Sequence, residues 1–128
     1  MNEKYVLLEE LEVYNDALEL GNEVWKVYST MNWHDQKIIG DQLITATDSV
    51  AANVAEGYGR YHFLDRIKFY YNSRGSLLES KHWLKLLLER KFINEELYNS
   101  LSSIAEKVHV KLNIYIKACY QQRNNQNN

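Results

Sequence analysis

The chain has 128 residues, 45% of them apolar, with no proline, five glycines and one cysteine. That length supports one domain with a real core, and so few chain-breaking residues point to long helices with short connections, so the expected class is all-α. Cys119 alone forms no internal disulfide, no basic-then-apolar leader opens the sequence and no uncharged apolar run reaches membrane-spanning length, which excludes a disulfide scaffold and a transmembrane protein and makes a cytoplasmic location the expectation.

The net charge of −2 conceals an asymmetry: residues 1–56 hold 3 basic against 11 acidic side chains (−8), and residues 57–128 hold 12 against 6 (+6). Opposed halves fit a polyanion-binding face, or an oligomer in which an acidic face of one copy meets a basic face of the next.

From about Leu11 to Tyr28 two apolar rows keep helical spacing: Leu11, Tyr14, Leu18, Gly21, Trp25 and Tyr28 in one, Val13, Ala17, Leu20, Val24 and Val27 in the other. Together they cover roughly 200° of a helix. A single buried stripe in a monomeric bundle needs an arc nearer ~100°, so the surplus row, Val13 to Val27, is the expected oligomer interface.

A second helix is expected from about Asp35 to Glu56, with Ile39, Leu43, Ala46, Val50 and Val54 facing inward and many small residues that allow close helix approach. Gly57 and Gly59 can take the positive φ that ends a helix and turns the chain, and Asn53, Glu56 and Arg60 complete that turn. A third helix, about His62 to Arg90, carries an inward seam at Tyr70, Ser73, Leu77, Ser80, Leu84 and Leu87, led by Arg66, which the hairpin brings close to Glu56 as an expected contact. A fourth, about Glu95 to Gln121, has its stripe at Leu97, Leu101, Ile104, Val108, Leu112, Tyr115 and Cys119 after an Asn94 N-cap. Four long helices with short connections predict an antiparallel up-down-up-down four-helix bundle over residues 1–122, followed by a polar, disordered tail at 123–128.

Two Glu-x-x-His pairs, Glu79 with His82 and Glu106 with His109, have the spacing that ferritin-like bundles use for a dimetal site, with Glu19, Glu23 or Glu56 as further donors. Helical projection turns His82, Glu79 and Glu106 away from their core stripes, so solvated side chains are the expectation and neither metal nor other cofactor is predicted. No phosphate loop, nucleophile elbow, dinucleotide fingerprint or Cys-x-x-Cys pair occurs, and Cys119 on a core stripe reads as a small buried hydrophobe. Neither a catalytic residue nor a small-molecule substrate is predicted.

Basic residues gather on the third helix. Arg74, Lys81 and Lys85 project along one line that runs back through Phe63, Ile67 and Tyr71, and this mixture of cations and aromatics suits a nucleic-acid groove. With Arg60 and Lys68 they form the candidate contact set for nucleic acid or a partner. A solvated charged face, or docking on the acidic first helix of a neighbouring copy, accommodates the same residues.

Leu11 and Ala17, Ser49-Val50, the run Asn53-Val54-Ala55-Glu56-Gly57-Tyr58-Gly59-Arg60, Phe69, and Arg74-Gly75-Ser76-Leu77 followed by Glu79 resemble the four-helix-bundle proteins encoded in intervening sequences of bacterial large-subunit (23S) ribosomal RNA genes, the S23 type. The resemblance spans most of the chain. It implies a bundle assembled into a ring, a pentamer; Asn53, Glu56, Gly57, Gly59, Arg66 and Gly75 are the expected structural positions of this chain. It also implies kinship with the accessory variability protein of diversity-generating retroelements, a bundle that binds nucleic acid and a reverse transcriptase. Ala51 stands where the family often has proline, so a kink is not expected there, and Arg66 replaces a usual aromatic. The expected function is a non-enzymatic homo-oligomeric scaffold contacting RNA or an RNA-associated protein, with a protein adaptor that never meets nucleic acid as the alternative.

Overall fold

The computed structural model describes residues 6–127; residues 1–5 of the expected domain and Asn128 of the expected tail lie outside them. Amphipathic patterning without proline lets each apolar stripe become one long helix. After a 3-10 turn at Leu8–Glu10 come α1 (Glu12–Thr30), then α2, α3 (Phe63–Glu89) and α4 (Glu95–Asn127). Helix α2 opens at Trp33–Asp35, passes through a π-helical turn at Gln36–Gly40 and resumes over Asp41–Tyr58. Each helix packs chiefly against two neighbours, in the cyclic order α1, α2, α3, α4 and back to α1, and the short connections make successive helices antiparallel. The fold is an up-down-up-down four-helix bundle, with no strand among the described residues.

Local chemistry explains the ends. The Asn32 side chain accepts a hydrogen bond from the Asp35 amide and the Asn94 side chain one from the Leu97 amide, each at 2.8 Å, so both residues are N-caps. Helix α3 ends on a left-handed residue, but the residue is Lys91, with φ 63°. Its amide donates to the Leu88 carbonyl and that of Phe92 to the Leu87 carbonyl, the paired bonds of a Schellman cap.

The α2–α3 turn differs from expectation. No described glycine has positive φ. Gly57 is helical and buried because a Cβ there would stand 2.8 Å from Tyr70 Cε1 and 3.1 Å from Phe69 Cβ; it is needed for close approach, not for turning. Gly59 sits at φ −76° and closes α2 through its amide to the Ala55 carbonyl. Asn53 bonds the Ser49 carbonyl within α2 and takes no part in the turn. Glu56 pairs with Arg60 at 3.3 Å, whereas Arg66 donates to the Arg60 carbonyl at 2.6 Å. The expected Arg66 to Glu56 contact is therefore replaced, because Arg60 reaches the carboxylate one helical turn away. Gly75 has nothing within 4 Å of a would-be Cβ, so no steric demand explains it.

The core confirms the α3 seam, where Tyr70, Ser73, Leu77, Ser80, Leu84 and Leu87 are all buried, and it corrects the α1 assignment. Val13, Ala17, Leu20 and Val24 are 0% exposed in the single chain, and Val27 packs on the same cluster. The row expected at a subunit interface is the intramolecular core. Two rows of equal apolarity look alike in sequence, and only the placement of α2 and α4 beside α1 decides which one faces in. The outward row is the one through Leu18 and Trp25. In α4, Ala105 and Ile116 join the expected stripe, and the helix continues through 123–127, since no glycine or proline interrupts it.

Candidate functional site

Side chains left over after core packing define three surfaces. The first lies between α1 and α4, where the acidic residues of α1 meet lysines of α4. Lys111 bonds Asp16 and reaches Glu12 at 3.3 Å, and Lys107 stands 3.5 Å from both Asp16 and Glu19. Carboxylates and hydrogen bonds hold the Lys111 ammonium above its ordinary value. Part of the charge asymmetry is thus matched inside one copy.

The second is the seam of α3 with α4, where the predicted basic row lies. Lys81 Nζ stands 2.9 Å from Glu106 Oε2 and 2.8 Å from His109 Nδ1. Burial, then the Lys81 cation, hold the His109 imidazole below its ordinary value, opposed by Glu106. Arg74 donates to Asn113 at 2.9 Å and lies over the Tyr71 ring. Lys85 pairs with Glu89 at 3.9 Å. Of the five predicted contact residues, Arg60, Lys81 and Lys85 have carboxylate partners, while Lys68 and Arg74 make no ion pair among the described residues. The same holds for Lys117 and Arg123 on α4, which sequence reasoning passed over because the seam was traced along α3 alone.

The Glu-x-x-His pairs do not converge. Glu79 accepts from Trp83 Nε1, His82 lies edge-on to Trp83, and Glu106 belongs to Lys81. Among the described residues, no group of three or more His, Cys, Asp or Glu could hold a metal ion. Cys119 is buried, and burial raises its thiol, so it has no thiolate character to offer. No described helix is long and apolar enough to cross a membrane.

The third surface is largely apolar, with Asn22 and the Asp48 carboxylate also on its lining. Tyr14, Leu18, Gly21, Thr47, Ala51 and Ala55 help line a groove of about 280 Å³ between α1 and α2. Small residues of α2 form its floor, Leu18, 38% exposed, stands on its α1 side, and Trp25, 55% exposed, follows two turns further along α1. On the opposite side of the bundle Leu78, Val110 and Ile114 are 51%, 53% and 60% exposed.

A family model described as 23S rRNA-intervening sequence protein matches residues 9–114, from the turn before α1 into α4. The chain belongs to that family. A crystal structure of a protein of unknown function from the S23 ribosomal protein family of Bacteroides thetaiotaomicron is similar, with a TM-score of 0.77 at 23% identity over 82% of this chain and 98% of that one. At that identity the likeness speaks for the fold. No curated protein matches the chain. The matched span of this 23S rRNA-intervening sequence family member includes the Gly57 approach and the Lys81 seam, whereas Lys117, Tyr120 and Arg123 lie beyond it.

Proposed function

We propose that the protein is a non-enzymatic cytoplasmic scaffold that assembles head to tail into a closed homo-oligomeric ring, a pentamer as the family resemblance suggests. The observation that carries this is the pair of unmatched apolar surfaces, the groove of α1 and α2 beside Leu18 and Trp25 and the ridge of Val110 and Ile114 on the far side. Exposed apolar clusters of this kind mark interaction sites. Two different patches on opposite faces suit a heterologous contact, which closes into a ring when the rotation allows. The small residues of the groove floor accept a bulky β-branched ridge from the next copy. The absence of an enzymatic role is supported by the pairing of Glu79, Glu106 and His109 with neighbouring side chains rather than with one another.

Light scattering coupled to size exclusion tests the assembly. The wild type is expected as one species of defined multiple mass, and the double variant Leu18→Glu with Trp25→Glu as a helical monomer. A monomeric wild type, or a variant that keeps the full mass, overturns the ring and leaves the patches to a different protein, the adaptor reading.

A further inference from the structure

We propose that the α3–α4 face near the α2–α3 turn binds single-stranded nucleic acid, with Tyr71 and Tyr120 stacking bases and Lys68, Arg74, Lys117 and Arg123 holding phosphates. The proposal goes beyond the scaffold reading and needs only one copy of the chain.

The geometry begins with a repeated pattern. Lys68, Tyr71 and Arg74 follow one another at i, i+3 and i+6 on α3; Lys117, Tyr120 and Arg123 do the same on α4. Residues three apart are surface neighbours on a helix, so each helix carries a tyrosine between two cations. The register of the seam, fixed by Arg74 to Asn113 and Lys81 to Glu106, lays the two antiparallel triplets along the same seam, staggered by about one helical turn so that they overlap at their Lys68 and Lys117 ends. Tyr71 and Tyr120 are neighbours across the seam, where the Tyr71 side chain and then burial hold the Tyr120 phenol above its ordinary value. Both remain accessible, at 39% and 37% exposed, and Arg74 already stacks on Tyr71, with its guanidinium 4.7 Å from the ring centre.

Charge selects an anion. No carboxylate occurs between Asp65 and Glu79 on α3 or anywhere after Glu106 on α4, and none of the four cations makes an ion pair among the described residues. Asp65, three positions before Lys68 on α3, is an acidic residue at the edge of the site. It lines the adjoining concavity with His62, Phe63, Leu64 and Arg123. The two exposed tyrosines select the form of the anion. A duplex offers phosphates but keeps its base faces stacked inside, whereas a single strand presents both phosphates and π-faces. Each triplet spans about 9 Å along its helix, which suits a few nucleotides.

Fluorescence anisotropy of a labelled oligouridylate with the full chain, at about 50 mM and about 200 mM salt, tests this. Contact with four phosphates predicts an affinity loss of about fifty-fold between the two conditions. Tyr71→Ala with Tyr120→Ala should weaken binding at least about tenfold, and Tyr71→Phe with Tyr120→Phe should restore it. Lys68→Gln and Lys117→Gln, at exposed positions, should each weaken binding and flatten the salt dependence, whereas Lys85→Gln should change neither. Circular dichroism and light scattering on the same samples separate this outcome from a failure of the ring. A monomer that still binds through the tyrosines sustains the proposal. Wild type indifferent to the single strand, alanine variants that bind as well as wild type, or equal binding of a duplex or of polyglutamate would each overturn it.

Discussion

At position 57 a methyl group would meet the Tyr70 ring at 2.8 Å and 3.0 Å, and Tyr70 is itself fixed in the core at 3% exposure. Relief requires α2 and α3 to separate or Tyr70 to leave its rotamer, so Gly57→Ala should destabilise by about 1–3 kcal/mol. Gly75 is the control: it is exposed, helical and uncrowded, so Gly75→Ala should stabilise by about 0.5–1 kcal/mol through helix propensity. Urea denaturation of both variants distinguishes the two glycines, and a tolerated Gly57→Ala would refute the close-approach argument. Both glycines are visible in sequence as family-like positions. The need for one of them arises only when an aromatic from another helix is brought against it.

Between elements, the α3–α4 seam is tied by Lys81, which is shared by Glu106 and His109. The folded His109 imidazole is held low by burial, then by Lys81 and Arg74 against Glu106, while the unfolded one takes its proton near pH ~6.5. Below that pH the unfolded state binds the proton more readily. This contribution to stability is therefore complete above the unfolded value and is lost as pH falls through the folded one. His109→Gln should flatten the decline in urea stability between pH ~7.5 and ~5, by no more than about 0.5 kcal/mol because the ring is only partly desolvated. Equal slopes in variant and wild type would remove His109 from the pH response. The seam also shows why a line of cations along one helix does not make a binding face by itself: Lys81 and Lys85 project as expected, yet carboxylates on α4 and on the next turn of α3 neutralise them.

For the molecule as a whole, the order of helices around the bundle puts the Leu18 and Trp25 groove on one side and the Val110 and Ile114 ridge on the other. A head-to-tail contact then has a distinctive consequence. The variant Leu18→Glu with Trp25→Glu keeps a sound ridge, and Val110→Glu with Ile114→Glu keeps a sound groove. Each alone should be monomeric, whereas an equimolar mixture should form capped dimers by light scattering. An isologous contact would use the same patch on both copies and gives no such complementation. Substituting Val13 and Leu20 with Glu tests nothing about assembly, because both side chains are buried within one chain and charges there unfold it.

Periodicity, capping residues, the lack of proline and the motif residues around 49–60 and 74–79 were enough to establish an all-α four-helix bundle, the α3 seam, the Asn94 cap and the family, because these depend on spacing along one helix and on local sequence. The sequence could not say which of two equally apolar rows on α1 faces in, which cations are neutralised, or that two Lys/Arg-Tyr-Lys/Arg triplets 49 positions apart share a face. Those outcomes depend on how the helices are rotated and registered against one another. Rotation and register are set by the fit of side chains from several helices at once, Gly57 against Tyr70 and Lys111 against Asp16 among them, and so they belong to the tertiary structure.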